Sequence, residues 1–476
     1  MKLRIYKDIT IYGINPELKN YLQEYLVTEN PEYIEARKFG RYLGNIQQWI
    51  VQFQEENDGG FTIPRGMLEH VLIDLGLEFQ VEDARVGPEA EKTWPIPNAV
   101  LRPDDQEPAV QEILSHYNGF LSAPAGSGKT VMGLMAAQRL GLKCLWLTHR
   151  QELKDQVIDE IVEHLDIPRK SIGIIHGKTW RIGEQITIGM IPTLKNRDLS
   201  PLVEEFGVII IDEAHHVPSK TFLQVVNNFA ARYIYALTAT PKRRDKLEAI
   251  MFNAIGPILH RIEHQVLEDE GHLMKPTIRR RKTGWLPPDA HLMEYHDFME
   301  QMVHDVGRNS RIVDDIISEC RPGNTSIALV GRTKHAEVLT DMLKKKGIKA
   351  EFCVATIDVE DASGKKKKKK KAIPKAIRDQ IVADFKEGKL EVLVATYDLL
   401  AEGFNYKPLN RLFMASPIKW EGWVEQALGR IRRPSEGKTD AIAYDYVDEQ
   451  IAMFIKQAEV RYQSVYKVMG MPVEET

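Results

Sequence analysis

Short apolar runs that stop abruptly at polar residues recur along this chain, separated by stretches whose apolar positions fall at helical spacing. Between about Leu101 and His264 the runs are K-C-L-W-L-T (Lys143–Thr148), I-T-I-G-M (Ile186–Met190), G-V-I-I-I-D (Gly207–Asp212) and Y-I-Y-A-L-T-A-T (Tyr233–Thr240). Runs of this length alternating with amphipathic helices predict a parallel sheet covered by helices on both faces. A second series begins near Met274, with S-I-A-L-V-G (Ser326–Gly331), E-V-L-V-A-T (Glu391–Thr396) and R-L-F-M-A-S (Arg411–Ser416) as its strands. Two α/β lobes are therefore expected in tandem. The link between them, L-E-D-E-G-H-L-M-K-P (Leu267–Pro276), is polar and holds a Gly and a Pro, as a hinge would.

The first 95 or so residues are patterned differently. Short alternating strands, L-R-I-Y and I-T-I-Y, precede a helical stretch N-P-E-Y-I-E-A-R-K-F-G-R-Y, and F-T-I-P-R-G follows a D-G-G turn. Prolines in W-P-I-P (Trp94–Pro97) mark a boundary. The expected division is an accessory domain at 1–95, a first lobe at 96–268, a second lobe at 269–460, and a terminal helix and tail at 461–476.

Two strand ends carry chemistry. F-L-S-A-P-A-G-S-G-K-T (Phe120–Thr130) runs from a strand through glycines into a helix, the arrangement that turns backbone N–H groups toward phosphate oxygens at a helix N-terminus. Its candidate ATP contacts are Ala125, Gly126, Ser127, Gly128, Lys129 and Thr130, with Lys129 against the β- and γ-phosphates and Thr130 on Mg²⁺; Ala123 stands where the strict pattern has glycine. V-I-I-I-D-E-A-H (Val208–His215) ends on Asp212, placed for the Mg²⁺ water shell, and Glu213, placed to orient or deprotonate an attacking water. A plain Gly/Ser turn and a solvated acidic pair are the competing readings, and their joint occurrence disfavours both. His215 and His216 have no second His or Cys pair nearby at zinc spacing, and Cys144, Cys320 and Cys353 are far apart. ATP and Mg²⁺ are the expected cofactors.

Composition changes this picture little. The 476 residues are 43% hydrophobic and 28% charged, with a formal charge of −4, so any phosphate affinity rests on local basic surfaces. The densest are Lys275–Lys282 and the run Lys365, Lys366, Lys367, Lys368, Lys369, Lys370 and Lys371; mutual repulsion makes the latter an extended or disordered loop, a candidate nucleic-acid contact or a merely solvated insertion. The first residues lack the apolar core of a secretory signal, no segment is long enough to span a bilayer, and three scattered cysteines fit a reducing compartment. A cytoplasmic protein without membrane partners is expected, nucleoid-associated in a bacterial or phage setting, or nuclear in a eukaryote.

An ordered series of further segments resembles the superfamily two helicases and translocases of the DEAH-box kind, most like the XPB and UvsW-type DNA helicases. The resemblance implies two tandem RecA-like parallel-sheet lobes with a small α+β N-terminal domain. In L-R-P-D-D-Q it implies that Gln106 reads the adenine edge and Arg102 lies near the nucleotide. T-H-R-Q-E-L and G-M-I-P-T-L resemble nucleic-acid motifs, implying phosphate contacts from Arg150 and Thr193. L-T-A-T-P resembles the motif coupling hydrolysis to strand movement, which assigns Thr238 and Thr240 to coupling together with His215. In A-T-Y-D-L-L-A-E-G-F-N, Thr396 would touch nucleic acid and Gly403 face the nucleotide. Q-A-L-G-R-I-R-R matches Q-x-x-G-R-x-x-R, which implies that Gln426, Arg430 and Arg433 approach the γ-phosphate; on a helix, their spacing of four and three would place them on one face. The N-terminal segments N-P-E-Y-I-E-A, G-R-Y-L-G-N and I-P-R-G resemble those of UvsW-type helicases, which implies a role in holding duplex or branched DNA, with Arg41 and Arg65 as candidates, beside a purely structural alternative.

The expected activity is nucleic-acid-stimulated ATP hydrolysis by a DNA helicase or translocase of repair or recombination type, with Asp212, Glu213, Lys129, Gln426, Arg430 and Arg433 as catalytic residues. Its expected partner is single-stranded, duplex or branched DNA, bound by a monomer. Two rivals stand beside it: a motor directed at RNA or RNA–DNA hybrids, and a nucleotide-gated nucleic-acid clamp within a restriction or repair complex.

Overall fold

The computed structural model describes residues 1–86, 92–214, 219–239, 247–359, 369–397, 404, 406–418 and 421–476. His215, Thr240, Gly403, Lys365, Lys366, Lys367 and Lys368 lie outside them, as do the side chains of Lys369 and Lys370. The chain forms two compact units, one built from Met1–Pro124 and Gly128–Glu263, the other from Ala125–Ser127 and His264–Thr476.

The first unit contains an eight-stranded sheet in the order Thr179–Arg181, Gly173–His176, Ile186–Met190, Cys144–Thr148, Val208–Asp212, Tyr233–Thr238, Asn118–Ser122, Ile258–Arg261. All pairings are parallel except the Thr179–Arg181 edge hairpin. Every residue of the strands at 118–122, 144–148, 186–190 and 208–212 is buried, because helices cover both faces and leave no side for polar alternation. Parallel strands deliver their C-terminal residues to one edge, so Ser122, Thr148, Met190, Asp212 and Thr238 are gathered there although dispersed in sequence.

The N-terminal residues add a five-stranded sheet that packs within this unit. Gln52 Nε2 donates to Ile250 O (3.3 Å), Asn253 Nδ2 donates to Gln52 Oε1 (2.9 Å), and Arg85 lies 4.3 Å over the Tyr117 ring. The I-P-R-G segment belongs to this seam, which corrects its reading as a DNA-facing element. Arg65 is 3% exposed and its Nη2 donates to Arg232 O at 2.7 Å, so it cannot present its charge to a phosphate. A Cβ on Gly66 would fall 2.4 Å from Gly256 N and 2.6 Å from Asn253 O, so only glycine lets the two backbones approach. Arg41, by contrast, stays at the surface, 5.5 Å over the Phe39 ring.

The second unit is a seven-stranded, all-parallel sheet in the order Ala350–Cys353, Val392–Thr396, Ser326–Val330, Arg411–Met414, Ile442–Val447, Thr277–Lys282, Val473–Glu475. Two expectations are corrected here. The terminal residues are not a tail, since Val473–Glu475 pairs with Thr277–Lys282. That basic segment is a sheet strand whose arginines are neutralised: Arg279 pairs with Glu319 and Glu474, Arg280 with Glu475, and Arg281 with Asp315. In the Leu267–Pro276 link, Leu267 and Leu273 are buried and Leu273 N donates to Leu267 O at 2.8 Å. The lysine run also ends in order, with Lys369–Ala372 pairing antiparallel to Thr356–Val359.

Candidate nucleotide site

The loop after Asn118–Ser122 turns through two left-handed glycines, Gly126 at φ +90° and Gly128 at φ +87°, before the helix Lys129–Leu140. Residues with a Cβ resist this conformation, so the glycines allow the backbone to close into a phosphate-sized turn. Lys129 is almost wholly buried, its Nζ donating to the carbonyls of Ala123 (3.1 Å) and Pro124 (3.2 Å) and lying 3.9 Å from Glu213 Oε1. Gln106 packs against the loop, for a Cβ on Gly128 would lie 2.3 Å from its Nε2, and its Oε1 accepts from Arg102 N at 3.1 Å. The Arg102 guanidinium is held in turn by the buried Asp105, Nε to Oδ1 at 2.8 Å.

Asp212 and Glu213 end the strand Val208–Asp212, which is separated from the phosphate-loop strand by Tyr233–Thr238 alone. Burial, and next the Glu213 carboxylate, push the Asp212 carboxyl up to about 7, with Lys129 opposing. A buried acid held in this way gains from a bound cation, and the cradle at Gly126–Thr130 fits a polyphosphate, so the residues suit a Mg²⁺ nucleotide. Glu213 adopts φ +48°, a costly conformation for a residue with a side chain and one that clusters at functional sites. Thr238 is fully buried and its carbonyl accepts from Ala123 N at 3.0 Å, tying the expected coupling strand to the base of the loop.

Two of the expected strand contacts, Arg150 and Thr193, follow strands that end at this sheet edge. Arg150 precedes the helix Gln151–Leu165, and Thr193 sits in the short helix Ile191–Leu194, after strands paired through Met190 and Thr148. Thr193 Oγ1 accepts from Gly177 N at 3.1 Å. In the second unit Thr396 closes its strand in register with Val330.

Gln426 and Arg430 lie four residues apart on the helix Glu421–Ile431, but Arg433 falls two residues past its end. The expectation of one helical face therefore fails for Arg433, which depends on a turn. Two groups that the sequence did not single out secure that turn. Arg432 is buried, with Nη2 on Glu268, Nη1 on His264 Nδ1 (2.6 Å) and its backbone carbonyl accepting from Met274 N (2.7 Å). On the other side stands Lys438, whose Nζ meets the carbonyls of Ile431 and Arg433. Neither carries a motif signal; only the charged R-R-P-S-E-G-K stretch hints at them.

Residues 100–243 match the family described as "Type III restriction enzyme, res subunit", and residues 295–435 match "Helicase conserved C-terminal domain". A protein of Acanthamoeba polyphaga mimivirus named "Putative ATP-dependent RNA helicase" is 25% identical over 96% of this chain and 80% of its own length. "Putative DNA 3'-5' helicase Rad25" of Haloarcula marismortui is 26% identical over 70% of this chain and 50% of its own. Among solved structures, S. cerevisiae Dbp5 bound to RNA and ADP BeF3 aligns with TM-score 0.53 at 16% identity, covering 78% of this chain and 89% of that one. UvsW of phage T4 aligns over 100% of this chain and 99% of its own at TM-score 0.43 and 14% identity. The Dbp5 likeness gives both parallel sheets the RecA-like fold. The domain matches and named relatives together support an ATP-dependent helicase of superfamily two. No helix among the described residues is long and apolar enough to cross a membrane.

Proposed function

We propose that the chain is an ATP-dependent DNA helicase or translocase of the XPB-like, DEAH-box branch, acting on duplex and branched DNA in repair or recombination. The observation that carries its ATPase half is the assembly of a left-handed glycine loop, buried Lys129, buried Asp212 and strained Glu213 at the ends of two strands that one strand separates in the same sheet. In this reading the loop N–H groups and Lys129 hold the β- and γ-phosphates, while Thr130 and Asp212 hold Mg²⁺, which supplies charge neutralisation when bound. Glu213 orients the attacking water and takes its proton. Arg430 and Arg433 meet the charge that develops on the γ-phosphate, a role worth about 10³ to 10⁵ in rate in other NTPases.

DNA as the substrate is supported by the ordered motif series and by the Rad25 relative's name. Arg150, Thr193 and Thr396 grip the phosphate backbone, contacts that carry no sequence information. Opening a duplex costs about 1.4 kcal/mol per stacked step, which repeated ATP cycles can keep supplying and a single binding event cannot. The name of the mimivirus relative favours an RNA-directed motor as the second reading, and the restriction-subunit match favours a clamp as the third.

Strand displacement with ATP on DNA forks, four-way junctions, R-loops and RNA duplexes tests the proposal. DNA forks and junctions should be resolved, with ATP turnover rising on their addition. Displacement confined to RNA duplexes would overturn the DNA assignment. ATP-dependent binding without displacement of any substrate would overturn the motor in favour of the clamp.

A further inference from the structure

Arg433 is followed by the turn Ser435–Lys438, closed by Lys438 N donating to Ser435 O at 3.1 Å with Gly437 at φ +76°. This brings the Lys438 side chain back under the end of the preceding helix. There its Nζ donates to the carbonyls of Ile431 (2.6 Å), Leu409 (2.7 Å) and Arg433 (2.9 Å), with Lys407 O farther off at 3.4 Å. An ammonium has three N–H donors, and the three shorter bonds take all of them. Two of the three acceptors are backbone atoms of the Ile431–Arg433 segment itself, while Leu409 is fully buried beside the sheet strand Arg411–Met414. The segment is thus held from one side through Lys438 and from the other through Arg432 with Glu268, His264 and Met274.

We propose that Lys438 is a positioning residue for ATP hydrolysis: its ammonium fixes the backbone of Ile431–Arg433, and thereby sets where the Arg433 guanidinium is presented. The inference rests on the reading of Arg433 as a γ-phosphate contact. Arg433 lies beyond the helix end, and the carbonyl bonds from Lys438 order the backbone there as the helix does at Arg430. Burial and the neighbouring Arg433 lower the Lys438 pKa to about 8, with Arg411 acting the same way and Asp440 opposing. The charged form, which makes the strong carbonyl bonds, is therefore lost as pH rises through that value.

The test is steady-state, nucleic-acid-stimulated ATPase of the full chain carrying Lys438→Met, Lys438→Arg, Arg433→Ala or Lys438→Met with Arg433→Ala, from pH 6.5 to about 9.5. Lys438→Met should lower kcat about 10- to 100-fold with KM for ATP nearly unchanged, and should add nothing further on the Arg433→Ala background. Lys438→Arg should keep most of kcat and lose the fall in rate near pH 8, since a guanidinium stays protonated there. That comparison stands even if Lys438→Met fails to fold, which circular dichroism and nucleic-acid binding without nucleotide would reveal. Wild-type kcat in Arg433→Ala would overturn the underlying assignment. A large loss in Arg433→Ala with an additive Lys438→Met effect, or with the same alkaline fall in Lys438→Arg, would overturn the positioning role alone.

Discussion

Replacing Gly128 or Gly141 by alanine separates what the phosphate loop needs for folding from what it needs for ATP. Both glycines flank the same helix and both are left-handed, Gly128 at φ +87° before Lys129 and Gly141 at φ +67° after Leu140. Forcing a Cβ into that region costs about 1–2 kcal/mol, offset in part by about 0.4–1 kcal/mol from a stiffer unfolded chain. This backbone cost alone should take a similar few degrees from the Tm of each variant, at roughly 2–4 °C per kcal/mol for a unit of this size. Their surroundings differ. Nothing lies within 4 Å of a Cβ on Gly141, whereas one on Gly128 would meet Gln106 Nε2 at 2.3 Å. The amide must swing away, giving up the bond from Arg102 N to Gln106 Oε1, worth about 1 kcal/mol, and the loop N–H groups shift with it. Gly128→Ala should then bind ATP about tenfold or more weakly, at least ~1.4 kcal/mol, while Gly141→Ala binds as wild type. Thermal denaturation without nucleotide and calorimetric ATP titration at fixed Mg²⁺ give both quantities. Equal losses of affinity, or undiminished affinity in Gly128→Ala, would refute the placement of Gln106 and the loop in one site.

Other perturbations bear on the remaining groups. Because Asp212 has a pKa raised from 3.8 to about 7, the folded nucleotide-free protein binds more protons than the unfolded chain between those values, and stability should fall as pH rises through that window. Asp212→Asn should remove this slope, at most about 1.4 kcal/mol per pH unit, in urea melts at pH 5 and pH 8, while abolishing turnover. Gly66→Ala should destabilise by about 1–3 kcal/mol, since its Cβ meets only backbone, and should open the seam between the N-terminal sheet and the larger one to limited proteolysis; an unchanged digest would contradict that packing. Serine at Lys365 to Lys371 should flatten the log-log salt dependence of DNA binding by up to about 0.9 for each phosphate no longer neutralised, whereas Arg280→Gln, in a strand whose charges are already balanced, should leave the slope unaltered.

The apolar runs were legible because a strand buried on both faces must be apolar throughout, whatever its neighbours; each segment drawn as a lobe strand, from Lys143–Thr148 to Arg411–Ser416, contains one. Charged segments were less legible. Lys275–Lys282 read as a basic patch, yet three of its arginines face Asp315, Glu319, Glu474 and Glu475, which approach from a helix, the end of that helix and a terminal strand. Arg65 read as a surface cation and proved buried against Arg232 O. A run of positive residues does not reveal its counter-charges when those come from distant parts of the chain.

By itself the sequence determined the alternation of strands and helices, the glycine loop with Lys129 and the Asp212–Glu213 pair, because local periodicity and a phosphate-binding turn need only contiguous residues. Tertiary structure alone decided the Asp212 environment, the hold of Gln106 on the loop, the embedding of I-P-R-G in a seam, and the anchoring of Arg433 by Lys438 and Arg432. Each of these rests on burial or on hydrogen bonds that no local sequence pattern specifies. Desolvation and hydrogen bonding act through space, so they are settled only when the sheets bring those groups together.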